Sequence, residues 1–100
     1  VDDDYDAVCA AIRQAFDDEV EMVITTGGLG PTYDDGTLGF VGKCLGLPVK
    51  TDSVARKMVI RRYSELARTG FLQAGDLNPA RMKMAMLPAG SKPLENSVGT

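Results

Sequence analysis

The segment of this chain best suited to chemistry is a glycine-rich run that follows a short apolar stretch. The run reads Thr25-Thr26-Gly27-Gly28-Leu29-Gly30-Pro31-Thr32-Tyr33-Asp34-Asp35-Gly36-Thr37. A glycine turn between a strand and a helix directs backbone N–H groups at a small cavity, where the helix dipole also favours negative charge. Glycine also lets the main chain approach a ligand closely. We therefore predict a site for a phosphate-bearing small molecule at this turn.

The candidate ligand-binding residues are the glycines of the turn, the hydroxyls beside them and one amide farther along the chain. They are Thr26, Gly27, Gly28, Gly30, Thr32, Thr37 and Asn78. Threonine hydroxyls can donate to a phosphate, but they can equally cap the local backbone. The glycines could also form a plain tight turn, although three of them with flanking hydroxyls favour ligand contact. Asn78 precedes a proline, so we expect a helix cap first and a ligand contact second.

Asp35 is the candidate metal ligand of the turn. A carboxylate repels a neighbouring phosphate unless a divalent cation bridges them, and Mg²⁺ is typically held by one or two carboxylates together with phosphates and waters. We therefore predict that Asp35 binds Mg²⁺ or another divalent metal. The alternative is the N-cap of the following helix, a role that either Asp34 or Asp35 can fill.

Composition and charge describe an ordinary globular domain. Of the 100 residues, 44% are hydrophobic and 25% are charged, and this length suits a single domain. A net charge of −3 gives no support to nucleic-acid binding, and no apolar run approaches the length of a membrane span. We expect a soluble, cytoplasmic protein with a small-molecule ligand and no nucleic-acid or membrane partner. Assembly into a homo-oligomer is left open.

The chain has two cysteines and no histidine. Cys9 and Cys44 lie far apart in helical patterns and lack CxxC spacing, so we expect two free, buried thiols and no structural zinc. Free thiols fit the cytoplasm. Because histidine is missing, the commonest general base near neutral pH is missing too. Any chemistry must use carboxylates, hydroxyls, backbone amides, lysine, arginine or a bound metal.

Hydrophobic periodicity predicts alternating helices and strands. In chain order we expect a helix over Tyr5–Phe16, a strand over Val20–Thr25, a helix over Leu38–Leu45, a short strand over Val49–Thr51, a helix capped by Asp52 or Ser53 that runs to about Thr69, a loop over Phe71–Leu77, a short helix from Pro79 to about Met84, a turn over Leu87–Gly90 and a short strand over Pro93–Val98. Because Met82, Met84 and Met86 alternate, part of the last helical segment could instead be extended. The alternation indicates an α/β fold, with helices on both faces of a mostly parallel sheet. Because strands are few, we expect that a strand and a helix belonging before Val1 are missing.

Three motifs resemble the molybdopterin-binding (MoCF biosynthesis) domain superfamily. Thr26 to Thr37 resembles its Thr/Ser-Gly-Gly-x-Gly run with a following Asp-x-Thr. The other two are Asn78-Pro79-Ala80-Arg81 with Met84-Ala85-Met86-Leu87-Pro88-Ala89-Gly90, and Leu94-Glu95-Asn96-Ser97-Val98-Gly99-Thr100. The Leu-Gly-Pro-Thr variant and the double aspartate are closer to the CinA-like branch than to the molybdopterin adenylyltransferases.

This resemblance covers nearly the whole chain and implies one partial domain over residues 1–100, a three-layer α/β/α fold incomplete at both ends. It implies metal-assisted hydrolysis of a nucleotide pyrophosphate of the ADP-ribose type, with Asp35 as the catalytic residue. One alternative is a non-catalytic module that binds molybdopterin or a nucleotide. The other is adenylyl transfer to molybdopterin, against which Leu29-Gly30-Pro31 and Asn78-Pro79-Ala80 argue. Gly36 stands where the molybdopterin-binding superfamily usually has Ile or Val, and glycine there weakens the start of the helix.

Overall fold

The computed structural model describes residues 4–70 and 78–98. The elements within these ranges are α1 (Tyr5–Asp17), α2 (Thr37–Leu45), β1 (Val49–Thr51), α3 (Ser53–Arg68), α4 (Pro79–Lys83) and β2 (Met86–Pro88). The four predicted helices and the predicted strand Val49–Thr51 are therefore confirmed. The predicted loop Phe71–Leu77 lies outside the described residues.

Short-range sequence signals begin and end the helices. The Asp4 carboxylate caps α1 by accepting the N–H of Asp6 at 2.8 Å, and the Asp52 carboxylate caps α3 by accepting the N–H of Ala55 at 2.8 Å. At the other end of α2, Gly46 adopts the left-handed conformation with a φ of 67°, which is the common glycine stop. These helix boundaries follow from residues within one turn of the boundary itself.

The two strands form an antiparallel ribbon that packs on α2. Val49 lies opposite Pro88 and Thr51 lies opposite Met86. A Cβ on Gly42 of α2 would lie 2.6 Å from the Val49 side chain, so glycine lets the helix approach the ribbon closely. The described part of the chain is thus α/β, with this two-stranded sheet in it. The mostly parallel sheet stays a prediction.

The predicted strand over Val20–Thr25 is wrong. Residues 20–25 belong to no strand, and Met22 and Ile24 are 75% and 78% exposed. A strand needs a neighbour that satisfies its backbone N–H and C=O groups, and no segment among the described residues pairs with this one. The apolar side chains of the segment therefore lie at the surface.

Two predictions near the carboxyl end also need correction. Leu87 and Pro88 belong to β2 rather than to a turn, because they pair with β1 across the ribbon, and the turn begins only at Ala89. The predicted strand Pro93–Val98 is absent from the described residues, where that stretch forms no ladder and Leu94 is 83% exposed. In both cases the pairing partner decided the outcome.

The buried core is small and is closed on one side by a disulfide. Its buried apolar residues are Cys9, Ile12, Ala55, Tyr63 and Ala85. Cys9 and Cys44 form a disulfide between α1 and α2, with their Cα atoms 5.3 Å apart. The prediction of two free thiols is therefore wrong, because packing of α1 on α2 brings the two cysteines together across 35 positions. An edge-to-face contact between Tyr5 and Phe40, with ring centroids 5.9 Å apart, joins the same two helices.

Candidate functional site

The glycine-rich turn opens with two consecutive glycines in the left-handed region. Gly27 has a φ of 82° and Gly28 a φ of 68°, values that other residues adopt at a cost. Thr37, the first residue of α2, closes the turn. Its N–H donates to the carbonyl of Gly28 at 3.2 Å, and its hydroxyl donates to the carbonyl of Gly27 at 2.8 Å. The turn is thereby fixed to the amino end of the helix.

The N–H groups of the same two glycines have no acceptor in the part of the chain that the structure describes. Within residues 4–70 and 78–98, the N–H of neither Gly27 nor Gly28 donates to an acceptor. Unpaired N–H groups beside a helix amino end are suitable donors for a phosphate. A Cβ on Gly28 would collide with the Thr37 side chain, so glycine also serves local packing there. The ligand contact itself stays a prediction.

Asp35 folds back onto Thr32. Its Oδ2 accepts the N–H of Thr32 at 3.0 Å and also lies against the Thr32 hydroxyl, while its own N–H donates to the Thr32 carbonyl at 3.1 Å. Asp34 Oδ1 lies 2.8 Å from the same hydroxyl, which has one proton and serves one carboxylate at a time. We call Thr32, Asp34 and Asp35 the acidic turn.

Neither aspartate caps α2. The N-cap residue is Gly36, which makes no side-chain cap hydrogen bond, so the capping alternative for Asp34 and Asp35 is wrong. The reason is that the Asp35 carboxylate is already bound to the Thr32 backbone, before the helix begins. Gly30 leaves room for that carboxylate, since a Cβ there would lie 2.7 Å from Asp35 Oδ2.

The surroundings of Asp35 hold the pKa of its carboxyl below the ordinary value for aspartate. The hydrogen bond from the Thr32 side chain is the largest cause. Partial desolvation raises the pKa, whereas the backbone N–H groups of Thr32 and Gly30 and the positive charge of Lys83 lower it further. Asp35 is therefore ionised at neutral pH. Such a carboxylate is a weak general base but a suitable ligand for a hard cation.

Lys83, the last residue of α4, reaches the acidic turn from the other half of the chain. Its ammonium donates to the carbonyl of Thr32 at 2.6 Å, across 51 positions. Asn78 helps to place it, because the Asn78 side chain caps α4 by accepting the N–H of Arg81 at 2.9 Å. Lys83 is not among the site residues predicted from the sequence. The available signal was a lysine between the two halves of the second motif, near the end of the predicted short helix.

The structure brings most of the predicted site residues together, although several have local partners. Gly27, Gly28, Gly30, Thr32, Asp35 and Thr37 all lie in or next to the turn. The hydroxyls of Thr32 and Thr37 are engaged within the turn. The exposed Thr26 makes no hydrogen bond in the described ranges. Asn78 is confirmed as a helix cap, and its ligand contact stays a prediction.

The acidic turn offers part of a metal site. Among the described residues, no three side chains of His, Cys, Asp or Glu are grouped to hold a metal ion. Two carboxylates, those of Asp34 and Asp35, do meet at the hydroxyl of Thr32. Mg²⁺ commonly takes one or two protein carboxylates and fills its coordination shell with phosphate oxygens and water. These residues therefore fit a cation whose coordination shell is completed by the phosphate of the ligand.

A cavity of about 830 Å³ lies beside the turn. Leu29 and Leu38 form one wall, and α3 and residues 91–97 form others. On its rim the Arg61 guanidinium pairs with the Glu95 carboxylate at 2.5 Å. Its volume lies within the range of small-molecule sites, and it shares Leu29 with the glycine-rich turn.

Comparisons with known proteins identify relatives of the whole chain. The family described as "Probable molybdopterin binding domain" matches residues 1–97. A protein of Pyrococcus horikoshii is 40% identical over 99 residues, covering 99% of this chain and 39% of that protein. A protein of Thermoplasma acidophilum is 38% identical over 98 residues, covering 98% of this chain and 34% of that protein. This chain therefore spans well under half the length of these curated relatives.

A solved structure supports the same relationship. The crystal structure of the protein CinA, of unknown function, from Thermoplasma acidophilum matches with a TM-score of 0.79 and 37% identity. The match covers 98% of this chain and 52% of that one. Within the described residues, no helix is long and apolar enough to cross a membrane. The expectation of a cytoplasmic location stays a prediction, and its argument from free thiols is lost with the disulfide.

Proposed function

Because this CinA-like chain belongs to the family of probable molybdopterin binding domains, we propose that its glycine-rich turn binds a phosphate-bearing ligand, a nucleotide or a molybdopterin. One observation carries the proposal. The carbonyls of Gly27 and Gly28 are tied to Thr37, while their N–H groups have no acceptor among the described residues. These donors stand beside the amino end of α2, where the helix dipole favours an anion.

The surrounding features give the rest of the ligand its place. A phosphate takes the amides of Gly27 and Gly28, and the cavity beside Leu29 and Leu38 receives the nucleoside or pterin. The acidic turn presents negative charge beside the phosphate, and a bound divalent cation would offset that repulsion. Asp35 would be the first protein ligand of the cation, since its lowered pKa keeps it ionised.

For this site we favour hydrolysis of a pyrophosphate such as that of ADP-ribose. A water oxygen forms a bond to one phosphorus and the bridging P–O bond breaks, which gives AMP and ribose 5-phosphate. The two hydrogens of the water pass to the two new phosphate groups, and both are released to solvent when the products become dianions. A bound divalent cation supplies a more acidic water and stabilises the charge on the phosphates. In this scheme the amides of Gly27 and Gly28 orient the phosphate. The Asp35 carboxylate would hold the cation beside it.

Binding without turnover is the second candidate. The hydroxyl and the backbone N–H of Thr32 already contact one oxygen of the Asp35 carboxylate, Oδ2, an arrangement that also suits a turn with no catalytic role. Such a module would hold a molybdopterin or a nucleotide for another domain. Both candidates share the glycine amides and differ in what Asp35 does.

The deciding experiment incubates the chain with ADP-ribose and Mg²⁺ or Co²⁺. It measures the release of AMP and, in parallel, the binding of ADP-ribose. The chain is compared with Asp35→Asn and with Asp17→Asn, which alters an exposed aspartate at the end of α1. Hydrolysis that disappears in Asp35→Asn alone, with residual ADP-ribose binding, supports the hydrolase. Binding of ADP-ribose or of a pterin phosphate without turnover supports the binding module. A folded chain that binds neither ligand contradicts the phosphate site.

A further inference from the structure

We propose that Lys83 is a further anion-binding residue of this site, and that its ammonium contacts a phosphate oxygen of the ligand beside the acidic turn. The inference rests on the proposed function and extends it to a residue on α4. It begins from one contact, the hydrogen bond that the Lys83 ammonium donates to the Thr32 carbonyl at 2.6 Å.

The Lys83 ammonium has more N–H donors than it has acceptors among the described residues. A lysine carries three N–H donors, and within residues 4–70 and 78–98 the Lys83 group makes the one hydrogen bond to Thr32. Neither of the salt bridges of the described residues includes it. Two donors are therefore available to a ligand while the contact with Thr32 is kept.

The site has an excess of negative charge that the Lys83 ammonium can offset. The glycine-rich run, residues 25–37, contains two aspartates and neither lysine nor arginine. A phosphate at the Gly27 and Gly28 amides meets the negative charges of Asp34 and Asp35. The doubly charged pyrophosphate of ADP-ribose and these two aspartates carry four negative charges together, of which one divalent cation neutralises two. Among the described residues, Lys83 brings a positive charge to this run through its hydrogen bond to Thr32. A compact ammonium on a flexible stem suits a phosphate as a point charge.

A purely structural role makes a different prediction. If Lys83 only fastens α4 to the Thr32 carbonyl, its removal loosens the turn and weakens every ligand alike. If it binds phosphate, its removal weakens phosphate-bearing ligands and spares adenosine, which has the nucleoside without the charge. The comparison of charged and uncharged ligands therefore separates the two roles.

The test measures binding of ADP-ribose, pyrophosphate and adenosine, each with Mg²⁺, by calorimetry. The variants are Lys83→Gln, Lys83→Arg and the control Lys57→Gln, an exposed lysine of α3. Thermal unfolding of each is recorded alongside. Since a hydrogen bond to a charged group is among the stronger ones, Lys83→Gln should weaken ADP-ribose and pyrophosphate binding about tenfold or more and leave adenosine unchanged. Lys83→Arg should restore most of the affinity, and Lys57→Gln should match the unaltered chain.

Each other outcome decides a separate point. Equal affinity of Lys83→Gln and the unaltered chain for both phosphate ligands overturns the role of Lys83 and leaves the proposed function standing. An equal loss for adenosine and ADP-ribose also overturns it, in favour of the structural role. An unaltered chain that binds neither phosphate ligand overturns the proposed function, and the role of Lys83 fails with it.

Discussion

The ammonium of Lys83 lies 2.6 Å from the carbonyl oxygen of Thr32, a residue 51 positions earlier in the chain. Thr32 in turn donates its N–H to Asp35 Oδ2 at 3.0 Å. The carbonyl and the N–H of Thr32 thus link a cation at the end of α4 to the acidic group of the glycine-rich turn.

Replacing Asp35 should make the free energy of unfolding less dependent on pH in the acid range. Because the folded-state pKa of Asp35 is lowered, its ionised form stabilises the fold above the unfolded-state value of about 4, and that contribution is lost as pH falls through the folded-state pKa. Asp35→Asn should therefore be less stable than the unaltered chain at pH 7, and the difference should shrink below about pH 4. Urea unfolding at pH 7, 5 and 3 measures it, with Asp17→Asn as control. A difference independent of pH would contradict the assignment.

Reduction of the disulfide should destabilise the chain strongly. Cys9 and Cys44 enclose 35 positions, and the loop-entropy relation then gives a contribution of about 4 kcal/mol. That is a large share of the roughly 5–15 kcal/mol that holds a domain together. Denaturant unfolding with and without a phosphine reductant measures the change. The double variant Cys9→Ala/Cys44→Ala should be insensitive to the reductant, and an unaltered chain that is equally insensitive would show that no such bridge forms.

Alanine at Gly28 should cost more than alanine at Gly27. Both positions have positive φ, so each substitution should cost about 1–2 kcal/mol from the left-handed backbone alone. Only at Gly28 does the added Cβ also meet the Thr37 side chain, whereas at Gly27 it meets nothing within 4 Å.

The matched control for these glycine substitutions is Gly39→Ala. Gly39 lies inside α2 with open space around it, and alanine there should stabilise by about 0.5–1 kcal/mol. Urea unfolding ranks the three variants. Equal losses at Gly27 and Gly28 would show that the packing of Thr37 against the turn is not tight.

The helices could be predicted from sequence because their determinants are local. Asp4, Asp52 and Gly46 each act within one turn of the helix that they begin or end. The strand over 20–25 could not be judged in this way, since apolar residues form a strand only where another strand supplies its hydrogen bonds. The apolar pattern of that segment predicted a strand, and no pairing partner for it lies among the described residues.

The parts of the site that sequence reasoning missed are long-range contacts. The spacing of Cys9 and Cys44 matches no motif, and their bridge follows from how α1 packs on α2. Lys83 likewise meets Thr32 only after α4 is placed against the turn. By contrast, the glycines and Asp35 were recognisable, because the turn they form is continuous in sequence.

The most direct test of the central claim is an NMR titration of the ¹⁵N-labelled chain with ADP-ribose in the presence of Mg²⁺. The account predicts that the amide resonances of Gly27 and Gly28 shift most, since their N–H groups are the phosphate donors, and that Asp35→Asn reduces those shifts. Resonances of Gly27 and Gly28 that stay in place at saturating ligand, while other amides move, would contradict it.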